Sequence, residues 1–262
     1  MSRSNPNENL VNPAKFFYEW DGGDGGFKYF DKSLGEKGEK VKQELPFTFI
    51  PLDVLVTIKG FNESEQKGYW SNEIRQFDIK TGILTVRSKA GVEMIGTYEQ
   101  VKAKLGTKGA DYCQSVYCAT KGADGKLVLN NIQIKGAALG AWIEFVKKNN
   151  INEVAVAVKD MVKKKKGRVD YVEPVFSAVK IKEETNQEAI ELDKLLQEYL
   201  RTLNVDGLTV THIDHPPHTF PIAVDVRVCV EFDGDVGERI AEVRRHWLVL
   251  YCFDRTIIAY LA

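Results

Sequence analysis

Lysines and aromatic rings are threaded together through the first two-thirds of the chain, and those two residue types can hold a flexible polyanion that carries flat bases. An ammonium or guanidinium group meets a phosphate and releases its condensed counterions. An aromatic face stacks on an unpaired base, worth about 1–3 kcal/mol per base. The cationic candidates are Lys28, Lys59, Lys67, Arg75, Arg87, Lys89 and Lys135, all in or beside segments that read as strands and turns. The ring candidates are Trp20, Phe27, Tyr29, Trp70, Tyr112 and Tyr117. Against this stands a plain reading in which Trp20, Phe30, Phe47 and Phe49 fill a barrel. The run Lys163–Lys166 reads as a solvated turn that adds diffuse attraction for a polyanion.

Charge is divided along the chain. Residues 1–182 hold 25 Lys and 4 Arg against 22 acids, a net of +7, and residues 183–262 hold 1 Lys and 6 Arg against 15 acids, a net of -8. The overall -1 therefore conceals a basic body and an acidic end. Such an end could compete for the basic surface or dock basic partners.

Other chemistries are weakly supplied. His212, His215 and His218 stand at i, i+3, i+6 near Asp214, with Cys229 further on. Zinc accepts these ligand types, but Pro216-Pro217 prevents a helix that would gather the imidazoles. The expectation is a polar loop, with a metal-dependent enzyme as an alternative. Cys113 and Cys118 have no partner pair and should be buried thiols on opposite faces of a strand. Gly22–Gly26 lacks a phosphate-loop signature. The first 211 residues contain no histidine, so no Ser-His-Asp or Cys-His arrangement can be assembled there. No enzyme activity and no cofactor are expected.

The elements that must position the cations and rings are mostly short strands. Phe16–Trp20 and Phe27–Asp31 flank a glycine-rich connection and read as a hairpin, where glycine supplies positive φ and leaves room for a ligand. Pro46–Ile58 reads as one or two core strands, with Pro51 at a bulge, edge or break. Gly60–Gly68 reads as a loop. Tyr98–Leu105 fits a short amphipathic helix. Asp111–Thr120 and Lys126–Lys135 pair around Gly122–Gly125, Ala137–Lys148 is helical, and Val154–Val158 and Val169–Ile181 flank the lysine turn. Asn186–Leu203 is the clearest helix, with an apolar face that should pack on the body or on a second copy.

These segments predict a mainly β protein. Residues 1–12 form a flexible arm, 13–182 an oligonucleotide-binding (OB-like) barrel with inserted and C-terminal helices, and 183–203 the amphipathic helix. Residues 204–262 form an atypical α+β extension. In that extension Lys gives way to Arg, and all four His are found there. It reads as a separately acquired domain or as an extension from another reading frame. No apolar run is long enough to span a membrane, and the polar N-terminus predicts no secretion.

Asn12-Pro13-Ala14-Lys15-Phe16, the Asp21–Phe27 glycine turn, Glu44–Ile50, Tyr69-Trp70-Ser71-Asn72-Glu73 and Gly136–Trp142 form an ordered series. Over residues 10–200 this series resembles single-stranded DNA-binding proteins encoded by tailed bacteriophages, notably those of gut Bacteroidales. The resemblance implies a domain that coats exposed single-stranded DNA during phage replication or recombination, in the cytoplasm of an infected bacterial host. Replication or recombination proteins and further copies of the chain, joined through the 186–203 helix, are the implied partners. A phage structural or assembly protein that does not bind nucleic acid is the main alternative.

Overall fold

A computed structural model describes residues 12–203, 248–253 and 256–261. The chain divides into two units, Met1–Val210 and Thr211–Ala262. The described residues of the first carry strands β1 (Phe17–Trp20), β2 (Phe27–Asp31), β3 (Glu39–Gln43) and the long β4 (Phe47–Asn62). Then come β5 (Lys67–Ser71), β6 (Ile74–Arg75), β7 (Leu84–Ser88), β8 (Gly91–Gly96) and helix α1 (Tyr98–Leu105). β9 (Asp111–Lys121), β10 (Leu127–Ile134), α2 (Ala137–Lys148), β11 (Val154–Lys166), β12 (Val169–Lys180) and α3 (Glu183–Thr202) follow. In the second unit the described residues form a hairpin, β13 (Leu248–Phe253) with β14 (Thr256–Leu261).

The strands build one large mixed sheet in the order β3-β2-β1-β10-β9-β4-β5-β7-β8, with β6 and β11 also on β4 and β12 on β11. The expected OB-like barrel is not formed. β3 and β8 end the sheet without pairing to each other, so it stays open. The mainly β expectation gives way to a mixed α/β fold, because helices cover both faces of the central strands. The reason for the miss is physical. Short strands, glycine turns and an interposed helix are local signals, whereas closure depends on which distant strands pair. Here β1 lies parallel to β10, Phe17 beside Asn131, a pairing that spans more than a hundred residues.

β4 is the spine. One flank pairs with β9 along most of its length, and the other takes β11, β6 and β5 in succession. Its register shifts between Pro51 and Asp53. Proline cannot donate to a ladder, so the bulge sits where the hydrogen bond is missing. The segment expected as a loop at 60–68 instead extends β4 and opens β5. Gly60 permits this, since a Cβ there would lie 1.4 Å from the Gly109 carbonyl oxygen.

Period-two alternation sends side chains to two faces. On one, Tyr18, Phe27, Phe47, Phe49, Cys118, Ile132 and Val156 pack under Trp142 and Phe145 of α2. A neighbouring cluster on β4, β5 and β7 is closed by Val101 and Leu105 of α1. On the opposite face α3 lays Ala189, Leu196 and Leu200 on Leu55, Tyr117, Ala119, Leu127 and Leu129. The helix expected at 186–203 thus spends its apolar face on its own sheet. Ile190 and Leu195 remain exposed.

Candidate nucleic-acid interface

α3 covers only part of its face of the sheet. Register identifies what continues beyond it, because residues paired across strands point the same way. Lys42, Lys28, Glu19, Gln133 and Ser115 form one row across β3, β2, β1, β10 and β9. Arg87, Trp70, Lys59 and Asp111 form another across β7, β5, β4 and β9. Lys40 and Phe30 are paired next to the first row. Lys40, Lys42, Arg87 and Asp111 are exposed. Phe17 is 38% exposed, Trp70 42% and Phe30 47%. This stretch of sheet therefore presents rings among cations.

Between the two rows lies a groove of about 590 Å³ bordered by Phe17, Trp70, Tyr199 and Leu203, with Lys59, Glu73 and Gln133 inside it. Lys59 donates to Gln133 and sits 3.0 Å from Glu19, which also has Lys135 at 3.8 Å. Burial works to raise the Glu19 pKa, but the charges of Lys59 and Lys135 and the Lys59 hydrogen bond outweigh it and hold the carboxyl below its ordinary range. One carboxylate shared by two lysines leaves a net positive charge. Half-exposed ion pairs contribute little in water, so a phosphate can compete for either cation.

The groove floor is internally bonded. Ser115 and Tyr117 both donate to Glu73, the latter at 2.9 Å, and Asn131 donates to Ser115 at 2.7 Å. Burial pushes the Glu73 pKa above its ordinary value against those two hydrogen bonds. Ser71 Oγ takes the Ile58 amide at 2.9 Å, and the Asn72 side chain bridges Ile83 and Thr85. Asn131 Oδ1 is left buried without a partner, but with the other donors and acceptors occupied the site has rings and cations to offer a ligand and few polar groups that could read a base edge.

The sequence candidates divide into three groups. Lys28, Lys59, Trp70, Arg87 and Lys135 reach the open face or its margin, Lys28 while paired with Asp21. Trp20, Phe27 and Tyr117 are buried and have no free face for a base. Trp20 Nε1 donates to the Val172 carbonyl at 2.8 Å, and Tyr29 packs on Phe16 and Tyr18. The rest lie elsewhere. Lys67 bonds Glu93 at 2.7 Å, Arg75 pairs with Asp53 and reaches Gln197 of α3, and Lys89 sits exposed in the β7–β8 turn. Tyr112 packs on Tyr98 beside α1. The glycine turn is not a ligand cradle either: a Cβ on Gly25, at φ 71°, would collide with Met161 and Val172.

Phe17, Phe30, Lys40, Lys42, Gln133 and Tyr199 were missed. Strict alternation in β2 carries the signal for Phe30, since Phe27 and Tyr29 must face the core together and Lys28 and Phe30 away from it. Among the described residues no group of His, Cys, Asp and Glu is disposed to hold a metal ion, and the histidines at 212, 215 and 218 lie outside those residues. Cys113 and Cys118 are free and buried, and burial raises the Cys113 thiol to about 12. Among the described residues no helix is long and apolar enough to cross a membrane. Comparison with family models, characterised proteins and solved structures gives no match for this chain.

Proposed function

We propose that this protein binds single-stranded DNA, with low sequence preference, across the open part of the sheet face. The strand would cross the rows that carry Lys42, Lys28, Lys59 and Arg87, with bases against Phe17, Trp70 and Phe30. The observation that carries this reading is the shared face: register aligns Arg87, Trp70 and Lys59 side by side, and Trp70 stays half-exposed next to a groove. An exposed tryptophan between two cations suits a splayed base between two phosphates. The internally bonded floor of the groove supports low base selectivity, because direct readout needs free donors and acceptors. The mechanism makes no covalent bond. Coating would keep the strand from pairing and from nucleases.

A role in phage replication or recombination, in the cytoplasm of an infected host, goes with this reading on the strength of the motif series alone. Titration of labelled homopolymeric oligonucleotides at several salt concentrations tests it. Comparable affinity for each homopolymer, weakening with salt at about 0.7 log units per log unit of salt for each phosphate contact, is expected. No binding at low salt refutes it. A second reading, an assembly protein, draws on Phe61, Val92 and Ile95, exposed apolar side chains on the distal strands of the same face. Under that reading oligonucleotides do not bind, and the chain forms concentration-dependent oligomers that F61S weakens.

A further inference from the structure

The lysine run is not a turn. β11 and β12 continue as a paired ladder from Asp160–Val175 to Lys166–Val169, and only Gly167 and Arg168 turn the chain. β4 supports β11 at Val156–Val158 and no further. Beyond that the hairpin is a two-stranded ribbon roughly 20 Å long at about 3.4 Å per residue. Residues 159–170 are exposed throughout. They carry Lys159, Lys163, Lys164, Lys165, Lys166 and Arg168 against Asp160 and Asp170, with Glu173 behind. Lys164 pairs with Glu173 at 2.7 Å and Lys165 approaches Asp170 at 3.9 Å. Lys159, Lys163, Lys166 and Arg168 form no ion pair among the described residues.

Two features separate this arm from a merely solvated hairpin. Its root is fixed: Val172 is buried, its amide donates to Gly22 at 2.7 Å, its carbonyl accepts from Trp20, and Met161 rests on Gly25. An arm held in advance loses little entropy on binding. Its charge is also on both sides. Lys163 and Lys165 share one face with Val172 and Asp170, while Lys164 and Lys166 share the other with Tyr171 and Val169. A flat anionic surface would be met by one face. Two basic faces suit a trench with an anionic wall on each side.

We infer that the β11–β12 arm is a second nucleic-acid site, which enters the major groove of duplex DNA. That groove, about 12 Å wide, admits a two-stranded ribbon. Alternate lysines on one face are about 6.8 Å apart, close to every second phosphate at about 3.4 Å axial spacing per strand. The exposed Val162, Val169 and Val175 can meet sugars and thymine methyls. Low base specificity follows, since lysines hold phosphates and no amide side chain is on the arm. The protein would thereby hold both sides of a junction between single and double strands.

The test uses the full chain with three probes: a blunt duplex, an oligothymidylate, and vesicles of phosphatidylserine and phosphatidylcholine. In K163Q/K164Q/K165Q/K166Q, duplex affinity is expected to fall at least about tenfold with a shallower salt slope, roughly 0.9 less per lost phosphate contact. Oligothymidylate affinity should change less than twofold. Arginine at the same four positions restores duplex binding. Wild-type protein that ignores the duplex overturns the inference, as does a glutamine variant that binds it unchanged, or one that loses vesicle binding alone. W70A separates the two sites. Oligothymidylate binding weakened at least about fivefold with duplex binding retained is expected, and a wild type that binds duplex but no single strand removes the open-face reading while the arm stands.

Discussion

Replacing Trp70 with alanine isolates stacking from charge. The ring is 42% exposed and paired between Lys59 and Arg87, so its removal opens no core cavity and deletes no cation. One stacked base is worth about 1–3 kcal/mol, and each 1.4 kcal/mol is about a factor of ten. W70A should therefore bind oligothymidylate about 5- to 150-fold more weakly. The slope of log affinity against log salt should stay where it was, because every phosphate contact survives. Fluorescence anisotropy at several salt concentrations reads both quantities, and a thermal melt checks that the fold is intact. W20A should behave in the reverse manner: its ring packs in the core and bonds Val172, so about 3–5 kcal/mol of stability is at stake. If W70A binds within twofold of the wild type with an unchanged melting temperature, the ring is not a stacking platform and the open face is not where the strand lies.

Three further outcomes are expected. K40Q/K42Q and R87Q should each weaken oligonucleotide binding and flatten the salt slope by roughly 0.7 per contact removed, and equal slopes would place the strand elsewhere. Glu73 provides a pH signature: burial favours its neutral form in the folded protein, so folding takes up a proton between the ordinary value of 4.5 and the higher folded one. Wild-type stability relative to E73Q should accordingly decline as pH rises through that window and then level off, and a pH-independent difference in melting temperature would contradict the assigned burial. L196A, which empties a fully buried site under α3, should cost about 2–5 kcal/mol in urea denaturation, and a smaller loss would mean that the helix is loosely docked.

Local order was well marked in the sequence. Both faces of the helix at 98–105, the helix at 137–148 and the hairpin around Gly122–Gly125 follow from apolar period and turn residues, and each forms where those signals place it. Pro51 marked the irregularity in β4 because a missing amide is a local fact. Sheet closure was not legible, since nothing in Phe17–Trp20 announces a parallel partner at 131–133. The same blindness divided the candidate rings. Trp20 and Trp70 both occur in aromatic strand segments, yet one lies against Phe27 and the other borders a groove, and only the neighbouring strands determine which. Lys163–Lys166 reads as a charged turn because it lies between two apolar strand-like segments, yet the paired ladder runs through it. Its ladder survives because Val172 and Met161 clamp its root to the first hairpin.

The placement of α3 has a bearing on how the chain is made. Ile50, Leu55, Tyr117, Ala119, Leu127 and Leu129 all leave the ribosome before Glu183, yet their cover is Ala189, Leu196 and Leu200. Until α3 emerges, a strip of apolar sheet faces water in the growing polypeptide. A message broken just upstream of codon 183 would yield a protein with this strip permanently bare, prone to clumping rather than merely shortened.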